Sequence, residues 1–129
     1  MQIPADKQVH KGRLGTYWID DEGILISVST PEQRTLQNTK ENVELIKRIT
    51  NNRKVCVLVY LTRSKRPDKK TREYVKREMG NIYKSMAIVS KGGLGELVMN
   101  VLFKLSTPPI PMKTFSNDAE AREWLKQFV

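Results

Sequence analysis

The chain contains one cysteine, Cys56, and one histidine, His10, among its 129 residues. A single cysteine excludes a disulfide within the chain and is typical of a reducing compartment, so we expect a cytoplasmic protein. A structural zinc site needs about four Cys and His ligands, which this sequence does not supply. A Cys–His catalytic pair requires direct contact, whereas His10 lies in the N-terminal segment and Cys56 within an apolar run. The sequence therefore predicts no metal site and no enzymatic activity.

Long hydrophobic runs are also absent. The longest, from Val55 to Leu61, is far shorter than the roughly 18 residues that a membrane span needs. Residues 1–7 lack the apolar core of a secretory signal, so we expect a soluble protein without a membrane span. The length fits one domain, which we predict at 13–129 after a flexible N-terminal segment at 1–12.

Basic charge is abundant and concentrated in one place. The formal net charge is +9, and residues 62–77, here called the basic segment, hold eight basic residues against Asp68 and Glu73. The eight are Arg63, Lys65, Arg66, Lys69, Lys70, Arg72, Lys76 and Arg77. Such a segment attracts anionic partners such as nucleic acid, phosphorylated ligands or an acidic protein face, but it also simply keeps a protein soluble.

The predicted strands come from short β-rich runs separated by turn signals. Runs at 13–19 and 24–29 flank the acidic turn 20–23 and predict an antiparallel hairpin. The run 55–61 is apolar on both alternations, which is typical of a buried parallel strand. Further strands are predicted at 85–89 and 110–115.

Four helices are predicted, three between these strands and one after the last strand, giving the order ββαβαβαβα. They run from a Thr30 cap to about residue 51, from Pro67–Asp68 to Gly80 or Asn81, over 94–105, and over 117–128. Right-handed crossovers along one sheet place their helices on one face. We therefore predict an α/β fold with a single mixed β-sheet, in which parallel strands follow an N-terminal antiparallel hairpin and the helices lie mainly on one face. A homodimer is one way to cover the other face.

Two loops are expected to meet at the carboxyl ends of the parallel strands, where ligands commonly bind. One follows the strand 55–61 and the other follows 85–89, and each leads into a helix N-terminus, which favours anions. The alternative is a tight turn beside a solvated charged face. The candidate partner-binding or anion-binding residues are Thr62, Arg63, Ser64, Lys65, Arg66, Asp68, Lys69, Lys70, Ser90, Lys91, Gly92 and Gly93.

The glycines at 92–95 do not predict a cofactor. Gly93-Leu94-Gly95 begins like a dinucleotide fingerprint, but Val98 stands at the position of the third glycine. We therefore predict no cofactor. The apolar helix 94–105 that follows is interpreted as a core or dimer-interface element, with the lining of a hydrophobic-ligand site as the alternative.

The element order, the loop after the central strand and the closing stretch Asn100–Leu105, Pro108–Phe115 and Ala119–Leu125 together resemble the STAS-like group. This group includes the sporulation anti-sigma-factor antagonists and bacterial single-domain STAS/CRAL-TRIO-like relatives. The resemblance covers nearly the whole chain from about Arg13. It implies a bacterial regulatory module with a STAS-like fold that acts by binding another protein.

Phosphoregulated members carry an Asp-Ser-Ser-Gly motif at a helix start, and its first serine is phosphorylated. Asp68-Lys69-Lys70-Thr71 falls at that position, so only the aspartate matches. Lys69 replaces the phosphorylated serine, which argues against that switch. The position that gains about two negative charges on phosphorylation in those members carries a permanent positive charge in this chain.

These observations favour a non-enzymatic STAS-like interaction module that docks a protein partner through the loop and helix at 62–77, whose positive charge would suit an acidic partner. The alternative is a receptor for a small anionic or amphiphilic ligand at the carboxyl ends of the parallel strands. Nonspecific nucleic-acid binding is disfavoured, because the basic segment offers only Tyr74 for base stacking.

Overall fold

The computed structural model describes residues 3–90 and 107–129. Across these ranges the chain forms one six-stranded sheet in sequential strand order. The strands are β1 (His10–Lys11), β2 (Gly15–Ile19), β3 (Leu25–Ser29), β4 (Val55–Tyr60), β5 (Tyr83–Val89) and β6 (Met112–Phe115). The helices are α1 (Leu36–Ile49), α2 (Lys69–Ile82) and α3 (Asp118–Leu125).

Strand direction divides the sheet into two parts. Strands β1 to β3 pair antiparallel, and β3 to β6 pair parallel. The predicted mixed sheet with an N-terminal hairpin is therefore confirmed. Because parallel strands end on the same side, the carboxyl ends of β3 to β6 share one edge, here called the carboxyl edge. The connections that leave this edge carry most of the predicted site residues.

Strand β1 is an addition to the predicted order. His10 and Lys11 pair with Tyr17 and Thr16 at the outer edge of the hairpin, within the segment expected to be flexible. Two residues are too few for an alternating pattern, so the sequence contains no signal for this strand.

Side chains of alternate strand residues enter two separate cores. On one face, Leu25, Val57 and Ile88 pack with Val43 of α1 and Met79 of α2. On the opposite face, a second core lies beneath α3. It contains Trp18, Ile24, Ile26, Cys56, Leu58, Ala87, Ala121 and Leu125. Two of the three described helices therefore share a face, while α3 covers the other. This position of α3 weakens the reason for expecting a homodimer, which stays a prediction.

The start of α1 differs from the prediction. Thr35, not Thr30, is the N-cap, and it forms a capping box with Asn38. The Thr30 N–H donates to the Leu14 carbonyl at 3.0 Å, and its hydroxyl donates to the Arg13 carbonyl at 2.6 Å. Thr30 therefore joins the hairpin to the following loop, and the helix begins only after this connection.

Helix α2 begins where the sequence predicts but ends later. Asp68 is its N-cap, and the helix continues through Gly80 to Ile82 before β5 starts directly at Tyr83. Gly80 does not have the positive φ of a helix-ending glycine. Ile82 and Tyr83 pack into the core beneath α1 and α2, and the helix continues beyond Gly80 to Ile82. The predicted apolar helix at 94–105 lies outside the described residues.

Candidate functional site

Backbone hydrogen bonds gather the predicted loops at the carboxyl edge. The Leu61 N–H donates to the Val89 carbonyl at 3.1 Å, and the Ser90 N–H donates to the Phe115 carbonyl at 3.1 Å. The start of the basic segment therefore lies beside Ser90, as the parallel topology predicts. Lys91, Gly92 and Gly93, the other predicted residues of the second loop, lie outside the described residues.

Thr62 attaches the basic segment to the sheet. Its N–H donates to Ser29 Oγ at 2.6 Å, and its hydroxyl donates to the Ser29 carbonyl at 2.7 Å. Thr62, a predicted site residue, therefore donates its hydroxyl proton to the last residue of β3. Thr62 positions the loop, whereas Ser64 and its basic neighbours stay exposed.

Asp68 connects the loop to α2. Its carboxylate accepts a hydrogen bond from the Thr71 N–H at 2.9 Å. The nearby Thr71 hydroxyl and this N–H together hold the pKa of the Asp68 carboxyl below its ordinary value. The hydroxyl itself does not meet the geometry of a hydrogen bond. Asp68 therefore acts as a helix cap in this structure.

Five cations of the basic segment form an exposed group, here called the cationic loop. They are Arg63, Lys65, Arg66, Lys69 and Lys70. Lys69 lies 4.0 Å from Glu73, and its side chain is 81% exposed. Within the described ranges, no carboxylate lies within ion-pair distance of the other four. Lys69 and Lys70 also begin α2, so their charges add to the positive end of the helix dipole.

The remaining three cations of the basic segment have different surroundings. Arg72 donates to the Pro67 carbonyl at 2.6 Å and thereby closes the loop against the helix. Arg77 lies 5.9 Å from the centre of the Tyr74 ring, and Lys40 of α1 lies 5.8 Å from the same ring. Lys76 is half-buried. The structure thus divides a continuous sequence cluster into the cationic loop and a helical part, in which Arg72 and Lys76 are half-buried and Arg77 is exposed beside Tyr74.

The residues considered for catalysis lie on different strands. His10 is on β1 and Cys56 is buried on β4, three strand spacings away. Three spacings correspond to roughly 14 Å, which is too far for a nucleophile and its base. In the described part of the chain, no group of three or more His, Cys, Asp or Glu side chains is arranged to hold a metal ion. No helix in those ranges has the length and apolar character required to cross a membrane. The absence of enzymatic activity stays a prediction.

A cavity lies between the sheet and helices α1 and α2. Its volume is about 210 Å³, and its walls include Val59 and Leu61 of the sheet side and Pro67 and Thr71 of the basic segment. Sequence patterns did not predict this cavity, since its lining comes from strands, loops and helices that are distant in sequence. A threonine at a core-facing position of an amphipathic helix, such as Thr39, is the one local signal for it.

The fold is that of the STAS-like class. The structure is similar to the crystal structure of an uncharacterized protein from the DUF3478 family with a SpoIIAA-like fold, from Shewanella loihica PV-4. The TM-score is 0.54 at 16% sequence identity, and the match covers 97% of this chain and 98% of the other. The predicted resemblance in fold is therefore confirmed.

The chain belongs to the family described as a domain of unknown function, DUF7793, which matches residues 17–129. No curated protein matches its sequence.

Proposed function

We propose that the chain is a non-enzymatic STAS-like interaction module that docks an acidic protein partner through the cationic loop. One observation carries this proposal: five exposed cations converge where α2 begins, and four of them have no carboxylate within ion-pair distance among the described residues. A complementary acidic face would neutralise these charges and speed association, especially at low salt.

The position of Lys69 and Lys70 supports a binding role over a stabilising one. Cations in the first turn of a helix oppose its dipole, and each costs about 0.3–1 kcal/mol at an exposed site. Asp68 at the N-cap offsets them in part, but the first turn of α2 itself has no acidic residue. An anionic partner would turn this unfavourable arrangement into a favourable one, because the helix dipole and the side chains then attract the same group.

The loop is attached to the fold at three points. Thr62 is bonded to Ser29, Asp68 caps α2, and Arg72 is bonded to the Pro67 carbonyl. These bonds reduce the ordering that a partner must impose on the loop, and less ordering favours affinity. Lys69 occupies the helix-start position at which phosphoregulated STAS-like proteins carry their serine. We therefore infer constitutive docking without that switch.

An acidic protein suits this surface better than nucleic acid does. Single-stranded nucleic acid is usually held by stacking of its bases on aromatic rings. Tyr74, the aromatic residue of the basic segment, is half-buried and lies between Lys40 and Arg77. The cationic loop itself contains no aromatic residue. Its surface therefore offers charge without a stacking platform.

The experiment compares two double charge reversals that change the net charge equally. Lys69→Glu/Lys70→Glu alters the cationic loop, and Lys54→Glu/Lys84→Glu alters exposed lysines near the amino ends of β4 and β5. Tagged proteins are used to capture partners from nuclease-treated extracts, and the bound proteins are quantified by mass spectrometry. We expect at least a tenfold loss of one acidic partner with the first variant and little change with the second.

Loss of folding would not explain this result, since glutamates at the start of α2 favour the helix dipole. Circular dichroism and a thermal melt check that both variants are folded. Equal capture by the two variants would contradict the proposal. Capture that occurs only from extracts without nuclease treatment would instead indicate nucleic-acid binding.

A further inference from the structure

The cavity beneath α1 and α2 has the size of a small-molecule site. An apolar cavity of about 150 Å³ is large enough to bind benzene. The volume here is about 210 Å³, which leaves room for a substituted ring or a chain of about six to eight carbons. Much of the wall is apolar, including Val43, Val59, Val75 and Met79. Such a wall favours the hydrocarbon part of a ligand.

Two hydroxyls in this wall, those of Thr39 and Thr71, lack a hydrogen-bond partner among the described residues. Thr39 is only 5% exposed, and its hydroxyl has no hydrogen-bond partner among the described residues. Burying a hydroxyl without a hydrogen bond is unfavourable. Thr50, which is buried on the same helix, donates to the Ile46 carbonyl at 3.0 Å. The helix therefore permits a satisfied threonine, yet Thr39 at the cavity is left unpaired.

Further polar groups line the cavity. Arg34 lies just before α1 and donates to the Leu14 carbonyl at 3.1 Å. Burial lowers the pKa of its guanidinium, so a nearby anion would be favourable there. The Tyr17 hydroxyl donates to Asn42 Oδ1 at 2.9 Å. The wall therefore mixes polar and apolar groups on both helices, because α1 also contributes Val43 and Ile46, and α2 contributes Thr71 and Glu78.

The geometry points to a binding site for a small amphiphile, with an aromatic or short alkyl body and one hydroxyl or carboxylate head group. The head group would pair with the Thr39 hydroxyl, with Arg34 in the same wall, and the body would lie against apolar residues such as Val43, Val59 and Val75. None of the five cations of the cationic loop lines this site, although Pro67 and Thr71 next to them do, so the inference does not depend on the proposed docking of an acidic partner.

The test uses the full chain and three probes: phenol, benzoate and toluene. Titrations followed by ¹H–¹⁵N NMR report whether binding saturates and whether the signals of Thr39 and Thr71 shift. We expect phenol or benzoate to bind in this way and to bind more tightly than toluene. Failure of all three probes to give saturable shifts at these residues would overturn the proposal. Equal binding of toluene would overturn the polar head group.

Three threonine variants separate a ligand role from a structural one. Thr39→Val should raise the melting temperature, because it removes an unpaired hydroxyl, and weaken the preferred probe about fivefold. Thr39→Ser keeps the hydroxyl and should retain most of the affinity. The control Thr50→Val breaks a satisfied bond, so it should lower the melting temperature without changing probe affinity. Unchanged probe affinity in Thr39→Val would contradict the site.

The Lys69→Glu/Lys70→Glu variant locates the probe. Binding inside the fold should survive this change, because both lysines are exposed on the cationic loop. If this variant removes benzoate binding and Thr39→Val leaves that binding intact, the anion binds on the cationic loop. This outcome would overturn the internal site.

Discussion

The two faces of the sheet are packed differently. Under α3, Ile24, Ile26, Leu58 and Leu125 are completely or almost completely buried. Under α1 and α2, the packed core adjoins a cavity of about 210 Å³. Both faces contain fully buried side chains, and among the described residues the α1–α2 face combines such a core with a cavity beside it.

The polar groups show a similar contrast at the margins. On the α3 side, Arg122 contacts Asp20 at 2.6 Å, and the Tyr60 hydroxyl donates to Asp118 at 3.0 Å. Burial, together with this bond, raises the pKa of Tyr60 to about 12. On the other side, the Thr39 hydroxyl is unpaired. The Thr71 hydroxyl on that side is also unpaired, and Ser85, on the α3 side, is the third unpaired hydroxyl among the described residues and the exception to this contrast.

The largest expected effect comes from truncating a leucine on the tightly packed face. Leu125 is 0% exposed, so Leu125→Ala should destabilise the fold by about 3–4 kcal/mol through lost burial and a new cavity. Leu14 is 6% exposed and lines the existing cavity, so Leu14→Ala should cost less, about 2 kcal/mol. Urea denaturation measures both. Equal losses at unchanged m-values would break the comparison between the faces.

An intermediate effect is expected at the hairpin turn. Asp20 accepts hydrogen bonds from the N–H groups of Glu22 and Ile24 at 3.0 and 2.9 Å, and its other oxygen accepts from Arg122. Asp20→Ala should therefore cost about 2–3 kcal/mol. The matched variant Glu22→Ala loses only a longer, half-exposed pair with Arg122 at 3.7 Å and should cost less than about 0.5 kcal/mol.

A double-mutant cycle with Arg122→Met isolates the Asp20–Arg122 contact from the turn itself. Coupling of about 1 kcal/mol or more between the two residues would show that the hairpin and α3 stabilise each other. Coupling near zero would mean that Asp20 acts only within its own turn.

The smallest expected effect is a gain in stability on α2. Gly80 lies inside this helix, and a Cβ added there would meet no atom within 4 Å. Gly80→Ala should therefore stabilise the fold by about 0.5–1 kcal/mol. Gly23 is the control, because its φ of +81° favours glycine even though its Cβ position is also open. Gly23→Ala should destabilise the fold. Thermal melts in which both variants shift the melting temperature in the same direction would contradict this reasoning.

Local patterns predicted the parts of the fold that depend on neighbouring residues. The strand over the apolar run that became β4 and the start of α2 at Pro67–Asp68 were both predicted correctly, since each depends on residues within a few positions. The carboxyl edge was predicted for the same reason, because parallel strands must end together. Thr30 was wrong as a cap because its N–H and hydroxyl are bonded to residues of the hairpin.

The amino-acid pattern thus determined the order of strands β2 to β6, the central strand and the place where basic charge collects, because periodicity and chain connectivity suffice for these. Only the tertiary structure decided which cations stay exposed, and that Arg122 meets Asp20 across 102 positions. It also decided that the unpaired Thr39 lines a cavity. Such features arise from packing between distant segments, where the shapes of many side chains together set how much space and how many partners each group retains.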